Sequence, residues 1–508
     1  MRETYAITTL RGCSLTTPSG SKEFCMTTTP ARPMAVPAME QLPTPELRKS
    51  REIQGNVLAA FNKDYVAFRY MQFPDDRAKG RGWLSVILNT VSVTADVEDF
   101  NEEFSLSRRA FGHDPDKQAT WVGVSLTFAG LLKVAEDGEQ TLKEDLKNFP
   151  QLLKGAPASA ERLKDTGNSA PDNWLFGSSG NPPVHAVLLV ASDSEEALNA
   201  KLENIEVADQ AHGVKLVHQD DGKTLPPPLK GHEHFGFKDG ISQPGVKDFH
   251  REDPRNPGYR ENRAGAKLIE PGEFVFGYPT EPNSKNRTGP TWMKNGSLQV
   301  VRRLSQDVVG WWNAVNEQAG KFDGPITAEL LGACLVGREQ NGDPLARGIE
   351  GDGNDFDYKN DQMGYQTPCA AHIRRTNPRM GRPGLTADSN RIMRRGIPYG
   401  PALEEDSEAD RGLMFVCYGT SIDEQFEFVQ ADWSNAPGFT PGAQGAPNCI
   451  DKVTGPEGGG RIELHKPFVT KGDIHMAQFV TTKGAIYAFT PSVTTLRHLA
   501  AGKKLPRS

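Results

Sequence analysis

The chain has 508 residues, and its 58 lysines and arginines against 65 aspartates and glutamates give a net charge of -7. This length exceeds that of one ordinary domain, and the acidic balance excludes a general affinity for nucleic acid or anionic lipid. No run of about 18 apolar residues occurs, so the sequence predicts no membrane span. The expected partners are small molecules, with no nucleic acid and no membrane among them.

The first 44 residues are rich in threonine, proline and serine and lack an apolar run long enough for a signal-peptide core. We interpret residues 1–44 as a disordered leader and expect a cytoplasmic protein. The six cysteines show no C-x-x-C spacing, so neither a zinc ribbon nor a dense disulfide framework is predicted. Cys334 and Cys417 lie in apolar runs and are expected to be small core residues.

After the leader, predicted strands alternate with predicted helices. Apolar alternation and short apolar runs predict strands over 66–73, 119–128, 183–192 and 213–219, and helices over 129–137 and 193–207. This pattern indicates an antiparallel sheet that is covered by helices. The region from about 221 to 296 is rich in proline, glycine and charge, which is unusual for a connection inside a compact domain unless it is functional.

A second cycle of strands and helices follows this connection. It predicts strands over 296–304, 412–419 and 485–493, and helices after 304, over 421–433 and at the C-terminus. Ser305 is a plausible N-cap for the first of these helices, on which Trp311 and Trp312 are expected at the core and its rim. We therefore divide the chain into the leader 1–44, an N-terminal half 50–240, a long connection 241–295 and a C-terminal half 296–508.

The stretch GHEHFGFKDGISQPG offers two kinds of chemistry. His232 and His234 could support the zinc site of a hydrolase, but zinc needs three or four ligands and no H-E-x-x-H pattern is present. Asp239 lies between Gly236 and Gly240, where a backbone without side chains can approach a flat ligand. The alternative for Asp239 is a turn aspartate with a local backbone hydrogen bond.

Two later stretches place histidine and arginine close together in sequence. In CAAHIRRTNPRMGRPG, His372 follows two alanines and precedes several arginines. A haem iron binds an imidazole and the haem propionates bind arginine, so this composition suits haem; an incidental histidine in a basic surface loop is the alternative. In RIMRRGIPYG, Arg394 and Arg395 could stabilise developing negative charge or could form a solvated basic turn.

Taken in order, GxxDG, AAHIRRTNPR and RRGIPYG, followed by the strand GLMFVCY, resemble the dye-decolourising (DyP-type) haem peroxidases. The resemblance covers nearly all of the chain beyond the leader. It implies an α+β fold of two ferredoxin-like halves, each an antiparallel sheet with helices, of the dimeric α+β barrel type. It also implies one heme b per chain, which the C-terminal half 296–508 would bind.

By resemblance, Asp239 is the distal acid that takes a proton from hydrogen peroxide and returns it to the departing oxygen. Arg394 matches the distal arginine that supports peroxide cleavage, in preference to its neighbour Arg395. Leu413 and Phe415 match the apolar pair that walls the distal pocket. Since this wall limits what reaches the iron, bulky substrates would be oxidised at the surface.

The resemblance also assigns the other side of the haem. His372 matches the iron ligand, and its second ring nitrogen should donate to a carboxylate, for which Asp423 and Glu427 are the candidates. Tyr399 and Trp433 match positions that transfer electrons in some family members, and a packing role is an equal alternative for both.

The implied function is a haem peroxidase that reduces hydrogen peroxide and oxidises dyes, phenols or other small or bulky aromatic donors through a high-valent iron-oxo intermediate, with Mn(II) as a further donor. The alternative is a haem-binding or haem-transfer protein without rapid turnover; Asp239 and Arg394 argue against it, because carriage needs neither. A zinc hydrolase using His232 and His234 is the third reading. The sequence leaves the physiological substrate and the oligomeric state open.

Overall fold

The computed structural model describes residues 45–112, 118–285, 287–346, 353–379, 387–439, 442, 444–447, 449–465 and 470–507. The predicted leader lies outside these residues. From Pro45 onward the chain forms one compact unit. Among the described residues, none of the helices has both the length and the apolar character that a membrane crossing requires.

Strands β1 to β15 account for the sheets. They are β1 (Tyr65–Gln72), β2 (Thr120–Leu126), β3 (Ala186–Ser192), β4 (Lys215–Lys223), β5 (Gly245–Val246), β6 (Glu252–Asp253), β7 (Asn256–Arg260), β8 (Leu268–Ile269), β9 (Ser297–Gln306), β10 (Met393–Arg394), β11 (Ile397–Tyr399), β12 (Gly412–Gly419), β13 (Gly458–Leu464), β14 (Thr470–Met476) and β15 (Val480–Thr490).

Helices α1 to α11 surround the strands. They are α1 (Gly55–Leu58), α2 (Arg77–Leu88), α3 (Thr94–Phe111), α4 (Phe128–Val134), α5 (Glu139–Asp145), α6 (Pro150–Lys154), α7 (Glu195–His212), α8 (Val308–Ala319), α9 (Ala328–Val336), α10 (His372–Thr376) and α11 (Val493–Ala500), and a π-helix spans Ile422–Ser434.

The largest sheet closes on itself. Its strand order is β10-β12-β11-β4-β1-β3-β2-β15-β9, and β9 also pairs with β12, so the ends of the sheet meet. Within it, β1 to β4 follow the antiparallel order β4-β1-β3-β2, and the later strands repeat that order with β15, β9, β12 and the β10/β11 pair. These are two ferredoxin-like halves in one barrel, which confirms the predicted fold class.

Each junction between the halves is narrow. Tyr399 on β11 pairs with Gly222 on β4, and Phe489 on β15 pairs with Leu126 on β2. At the first junction a side chain larger than hydrogen would not fit, because a Cβ on Gly222 would collide with the Ile397 side chain. Glycine therefore permits the close strand approach that joins the halves.

The two faces of the barrel strands pack into different cores. One core joins β2 and β3 to the apolar sides of α2, α7 and α11, with Trp83 and Leu496 fully buried. The other lies on the opposite face and brings Phe68, Val301 and Met414 together from both halves. Because side chains alternate along a strand, one ring of strands supports both cores.

Two predicted helix features differ in the structure. Ser305 is not the N-cap of α8, because β9 continues through Gln306; Asp307 is the cap and accepts a hydrogen bond from Gly310 N at 2.8 Å. The helix predicted over 421–433 is present as the π-helix, with Ser421 as its cap. Trp311 is fully buried, as expected.

The described cysteines are free thiols. Cys334 and Cys417 are buried in the core, as predicted, and Cys369 and Cys449 are buried as well. Burial raises the pKa of the Cys334 thiol to about 12, so it remains protonated.

Candidate active site

His372 begins the short helix α10, directly after two buried alanines. Its Nδ1 lies 2.7 Å from Oδ2 of Asp451, a side chain with 0% exposure. Burial lowers the pKa of His372, but the Asp451 carboxylate outweighs burial and the pKa is raised. When the ring is neutral, Nδ1 donates to Asp451 and Nε2 keeps a free lone pair for a metal ion.

Asp451 is held in its ionised form. Burial alone would raise its pKa, but His372, the Val453 N–H and the Thr454 hydroxyl together lower it to about 2. The bond from Val453 N to Oδ1 measures 2.8 Å. A carboxylate fixed in this way orients the imidazole and increases its basicity.

The expected partners of His372, Asp423 and Glu427, are both engaged elsewhere. Asp423 forms an ion pair with Arg162 on the outside of the π-helix. Glu427 also pairs with Arg162 and accepts a hydrogen bond from Tyr487 Oη at 2.9 Å. The expectation was wrong because Asp451, 79 residues beyond His372 in sequence, reaches it first.

Asp239 and Arg394 form the second polar pair of the site. Arg394 Nη1 donates to Asp239 Oδ1 at 2.8 Å, and Gly240 N donates to the same oxygen at 2.6 Å. The side chains are 34% and 28% exposed, which leaves both open to the adjoining cavities. Burial would raise the pKa of Asp239, but Arg394 and the Gly240 N–H outweigh it and lower the pKa.

The neighbouring Arg395 has a different environment. Its guanidinium donates to the carbonyl oxygens of Asn56 and Leu58, both at 2.8 Å. Since these bonds turn the side chain towards α1, Arg395 does not pair with Asp239. The structure thus places Arg394, and not Arg395, beside the acid.

The glycine-rich loop around Asp239 is braced by Glu233, which sequence reasoning overlooked. Its carboxylate accepts hydrogen bonds from Phe235 N and Phe237 N at 2.9 Å and from Gln306 Nε2 at 2.6 Å. Burial raises the pKa of Glu233 to about 7. Its position six residues before Asp239 was visible in the motif, but no spacing rule indicates a loop brace.

The two histidines of the same loop do not converge on a common point. The His234 ring nitrogen Nε2 is 2.8 Å from the Tyr399 carbonyl, and His232 Nδ1 is 3.2 Å from the Lys230 carbonyl. Within the described residues, no group of three or more histidine, cysteine, aspartate or glutamate side chains could hold a metal ion. The described residues therefore do not support the zinc hydrolase hypothesis.

Two cavities meet at the acid and arginine pair. The histidine cavity, of about 250 Å³, contains His372, and the arginine cavity, of about 1090 Å³, opens on the other side. Leu413 and Phe415, two residues apart on β12, border both. The side chains common to the two linings are Glu233, Asp239, Ile241, Arg394, Leu413 and Phe415.

The aromatic residues considered for electron transfer are both buried. Tyr399 has the Arg303 guanidinium over its ring at 4.1 Å, and its hydroxyl donates to Asp410 at 3.3 Å. Trp433 packs against Phe428 and Phe439 with ring centroids 5.2 and 5.5 Å away.

The lining of the histidine cavity fits a haem. Besides His372, it presents Arg379 and Arg391, and the buried Arg379 Nε has no hydrogen-bond partner among the described residues. Burial, together with the Arg379 and Arg394 charges, lowers the pKa of Arg391 to about 10. Unneutralised guanidinium groups beside an imidazole match the needs of haem propionates and haem iron.

Known proteins share this architecture. Residues 52–226 match the DyP dimeric alpha+beta barrel domain, and residues 278–440 match the Dyp-type peroxidase, C-terminal domain. Peroxidase 2 of Mycetinis scorodonius is 30% identical, covering 88% of this chain and 86% of its own. Multifunctional dye peroxidase DyP2 of an Amycolatopsis strain is 29% identical, covering 88% and 95%.

A solved structure gives the same result. The structure of an ancestral D-type dye decolorizing peroxidase is 29% identical and superposes with a TM-score of 0.72, covering 88% of this chain and 98% of its own. The chain belongs to the DyP-type peroxidase family. It is accordingly a haem-containing peroxidase, an oxidoreductase that uses hydrogen peroxide.

Proposed function

We propose that this peroxidase oxidises dyes and phenolic or other aromatic donors, with His372 as the haem ligand and Asp239 and Arg394 as the catalytic pair. The observation that supports this most strongly is the arrangement of the site. A carboxylate-bound imidazole lines the same cavity as an ion-paired aspartate and arginine. Bound haem would supply the redox chemistry there, which is the two-electron reduction of peroxide and the one-electron oxidation of donors.

Asp239 moves the proton. As a carboxylate it accepts a proton from one peroxide oxygen and returns it to the other, which leaves as water. Arg394 holds the pKa of Asp239 below its ordinary value, so the base is ionised even in mild acid. The same guanidinium charge stabilises the negative charge that develops on the departing oxygen.

Leu413 and Phe415 restrict the site. Both line the space beside Asp239, and their apolar surface lowers the local polarity, which strengthens the electrostatic effect of Arg394. A donor too large for these cavities gives its electrons at the surface, and for such donors we propose Tyr399 and Trp433 as relays. Mn(II) is proposed as a further donor.

The test is a haem titration of the purified protein, followed by one equivalent of hydrogen peroxide and then an anthraquinone dye. The proposal expects a Soret band at one haem per chain, a rapid spectral change with peroxide, and bleaching of the dye. A Soret band with no peroxide response would favour the haem carrier. Absence of the band would contradict both functions.

We propose the cytoplasm as the location, since the four described cysteines are free thiols in the folded protein. Fractionation of the source cells, with detection of the protein by antibody, tests this. Recovery from the culture medium would contradict it.

A further inference from the structure

The arginine cavity has one wall that the peroxidase chemistry does not use. This wall comes from the long connection 241–295, whose strand β7 ends at Arg260, and it also carries His250 and Arg263. The lining also includes Phe61 and Arg395, together with Asp239 and Arg394 of the active site. The long connection thus forms one side of the arginine cavity, which leads to the active site.

The arginine cavity is lined by more cationic than anionic side chains. Two carboxylates of the lining are paired with cations: Glu98 pairs with Arg48 at 2.5 Å and Asp64 with Lys230 at 2.9 Å. Arg260 has no ion pair or side-chain hydrogen bond with any residue that the structure describes.

The guanidinium groups affect one another. Burial, with Arg263 and Arg48, lowers the pKa of Arg260 to about 10, and burial lowers that of Arg395 to about 10, with Arg260 and Arg394 contributing. Buried like charges repel one another, which raises the free energy of the protein with the cavity empty of anions. An anion between them would remove that cost and gain charge-assisted hydrogen bonds.

His250 adds a neutral donor to the same wall. Its Nδ1 accepts a hydrogen bond from Val246 N at 2.9 Å, so the ring proton resides on Nε2. Burial, Arg260, Arg48 and Arg395 lower the pKa of His250 to about 2, so the ring stays neutral at ordinary pH. The wall thus presents donors and no competing negative charge.

Aromatic side chains complete the arginine cavity. Phe61, Phe68 and Phe249 line it, and they provide apolar surface within reach of the arginines. A ligand that combines a flat ring with one negative group satisfies both kinds of lining. Leu413 and Phe415 connect the arginine cavity to the histidine cavity.

We propose that the arginine cavity is a binding site for small anionic aromatic donors, namely phenols that carry a carboxylate, with the carboxylate at Arg260 and Arg263. The proposal rests on the proposed function, and it names the class of substrate that enters this site. Two bound phenols in succession each lose one electron and the hydroxyl proton. With one hydrogen peroxide, they give two phenoxyl radicals and two waters.

The experiment measures binding to the resting haem-loaded protein by isothermal titration calorimetry, without peroxide. The probes are 4-hydroxy-3,5-dimethoxybenzoate and its uncharged counterpart, 2,6-dimethoxyphenol. We expect the benzoate to bind at least about tenfold more tightly, because a charged hydrogen bond is stronger than a neutral one. Its affinity should fall as salt rises, whereas that of the phenol should not.

Arg260→Gln and Arg263→Gln should each weaken benzoate binding by about tenfold and leave phenol binding unchanged. The matched control is Arg255→Gln, since Arg255 lies in the same hairpin, is 89% exposed and is outside the cavity lining. It should bind both probes as the wild type does. If Arg260→Gln fails to fold, the exposed Arg263 still decides the outcome.

Equal affinities for the two probes, or benzoate binding that neither arginine variant alters, would overturn the site. The proposed function is measured separately, by turnover of the uncharged phenol with peroxide. Loss of that turnover with intact benzoate binding would contradict the peroxidase roles and leave the anion site standing. Normal turnover of the phenol without selective benzoate binding would contradict the anion site and leave the peroxidase roles standing.

Discussion

The two halves of the barrel have the same strand order and different connections. In the first half, α2 and α3 connect β1 to β2 and the single helix α7 connects β3 to β4, and apolar side chains of α2 such as Trp83 pack in the core. In the second half, residues 307–392 separate β9 from β10 and contain His372. Asp451 likewise lies in the segment between β12 and β15.

This difference shows how one architecture serves two purposes. The first half contributes packing and part of the arginine cavity, whereas His372, Arg394, Leu413, Phe415 and Asp451 all come from the second half. Asp239 lies after β4, the last barrel strand of the first half, and before β9, the first barrel strand of the second. The strands fix the positions of the side chains on β10 and β12, and the long segments between strands supply the chemistry.

The largest effect of a single substitution is expected in the second half, at His372. His372→Ala should abolish stable haem binding, because no other described histidine shares its cavity. The measurement is the Soret absorbance per chain after haem titration and gel filtration. His475→Ala is the control, since this histidine of the second half is 62% exposed. Normal haem retention by His372→Ala would refute the ligand assignment.

Arg394 should have the next largest effect. Arg394→Gln removes both the stabilising charge and the main cause of the low Asp239 pKa, so the rate with peroxide should fall by about 10²-fold. Burial then raises the pKa of Asp239, and the acid limb of the pH–rate profile should move to higher pH. Stopped-flow absorbance across the pH range measures both changes.

The sign of this shift follows from linkage. In the wild type the folded-state pKa of Asp239 is lowered, so its contribution to stability is present above the unfolded pKa and is lost as pH falls through the folded pKa. The rate should follow the same ionisation. An acid limb that stays in place in Arg394→Gln would show that another group controls it.

Asp451 should have a smaller effect, because it acts through His372. Asp451→Asn should weaken haem binding by roughly 10- to 100-fold, since the imidazole loses its charged acceptor. Glu427→Gln is the control, since Glu427 was the partner that the sequence favoured together with Asp423. A larger loss of haem affinity in Glu427→Gln than in Asp451→Asn would contradict the structural assignment.

The smallest expected effect concerns the start of α8. Asp307→Ala should lower the free energy of unfolding by about 1 kcal/mol, whereas Ser305→Ala should change it by much less. Chemical denaturation of both variants measures the difference. Equal losses would mean that Asp307 is not the cap.

Much of this fold could be predicted from periodicity. The strands predicted over 66–73 and 412–419 correspond to β1 and β12, because alternating or continuous apolar residues reflect burial directly. Closure of the barrel could not be predicted from periodicity, because the junctions at Gly222 and Leu126 each depend on one residue pair; the family resemblance alone implied it. The predicted N-cap of α8, Ser305, lies two residues before the observed cap Asp307, which is the usual precision of a predicted helix boundary.

The site was predictable to the extent that its residues lie in compact motifs. Asp239, His372 and Arg394 each have a recognisable neighbourhood of glycines, alanines or arginines, and the structure brings the first and third into contact. Asp451 lies in a polar segment with no such pattern. Glu233 was part of the motif, but its role depends on backbone N–H groups that the sequence does not display.

The central claim is that Asp239 transfers the proton at a haem held by His372. The most direct test is the second-order rate constant of haem-loaded Asp239→Asn with hydrogen peroxide, against the wild type at equal haem content. We expect normal haem binding and a rate lower by about 10²- to 10⁴-fold. A rate within a factor of two of the wild type would contradict the claim.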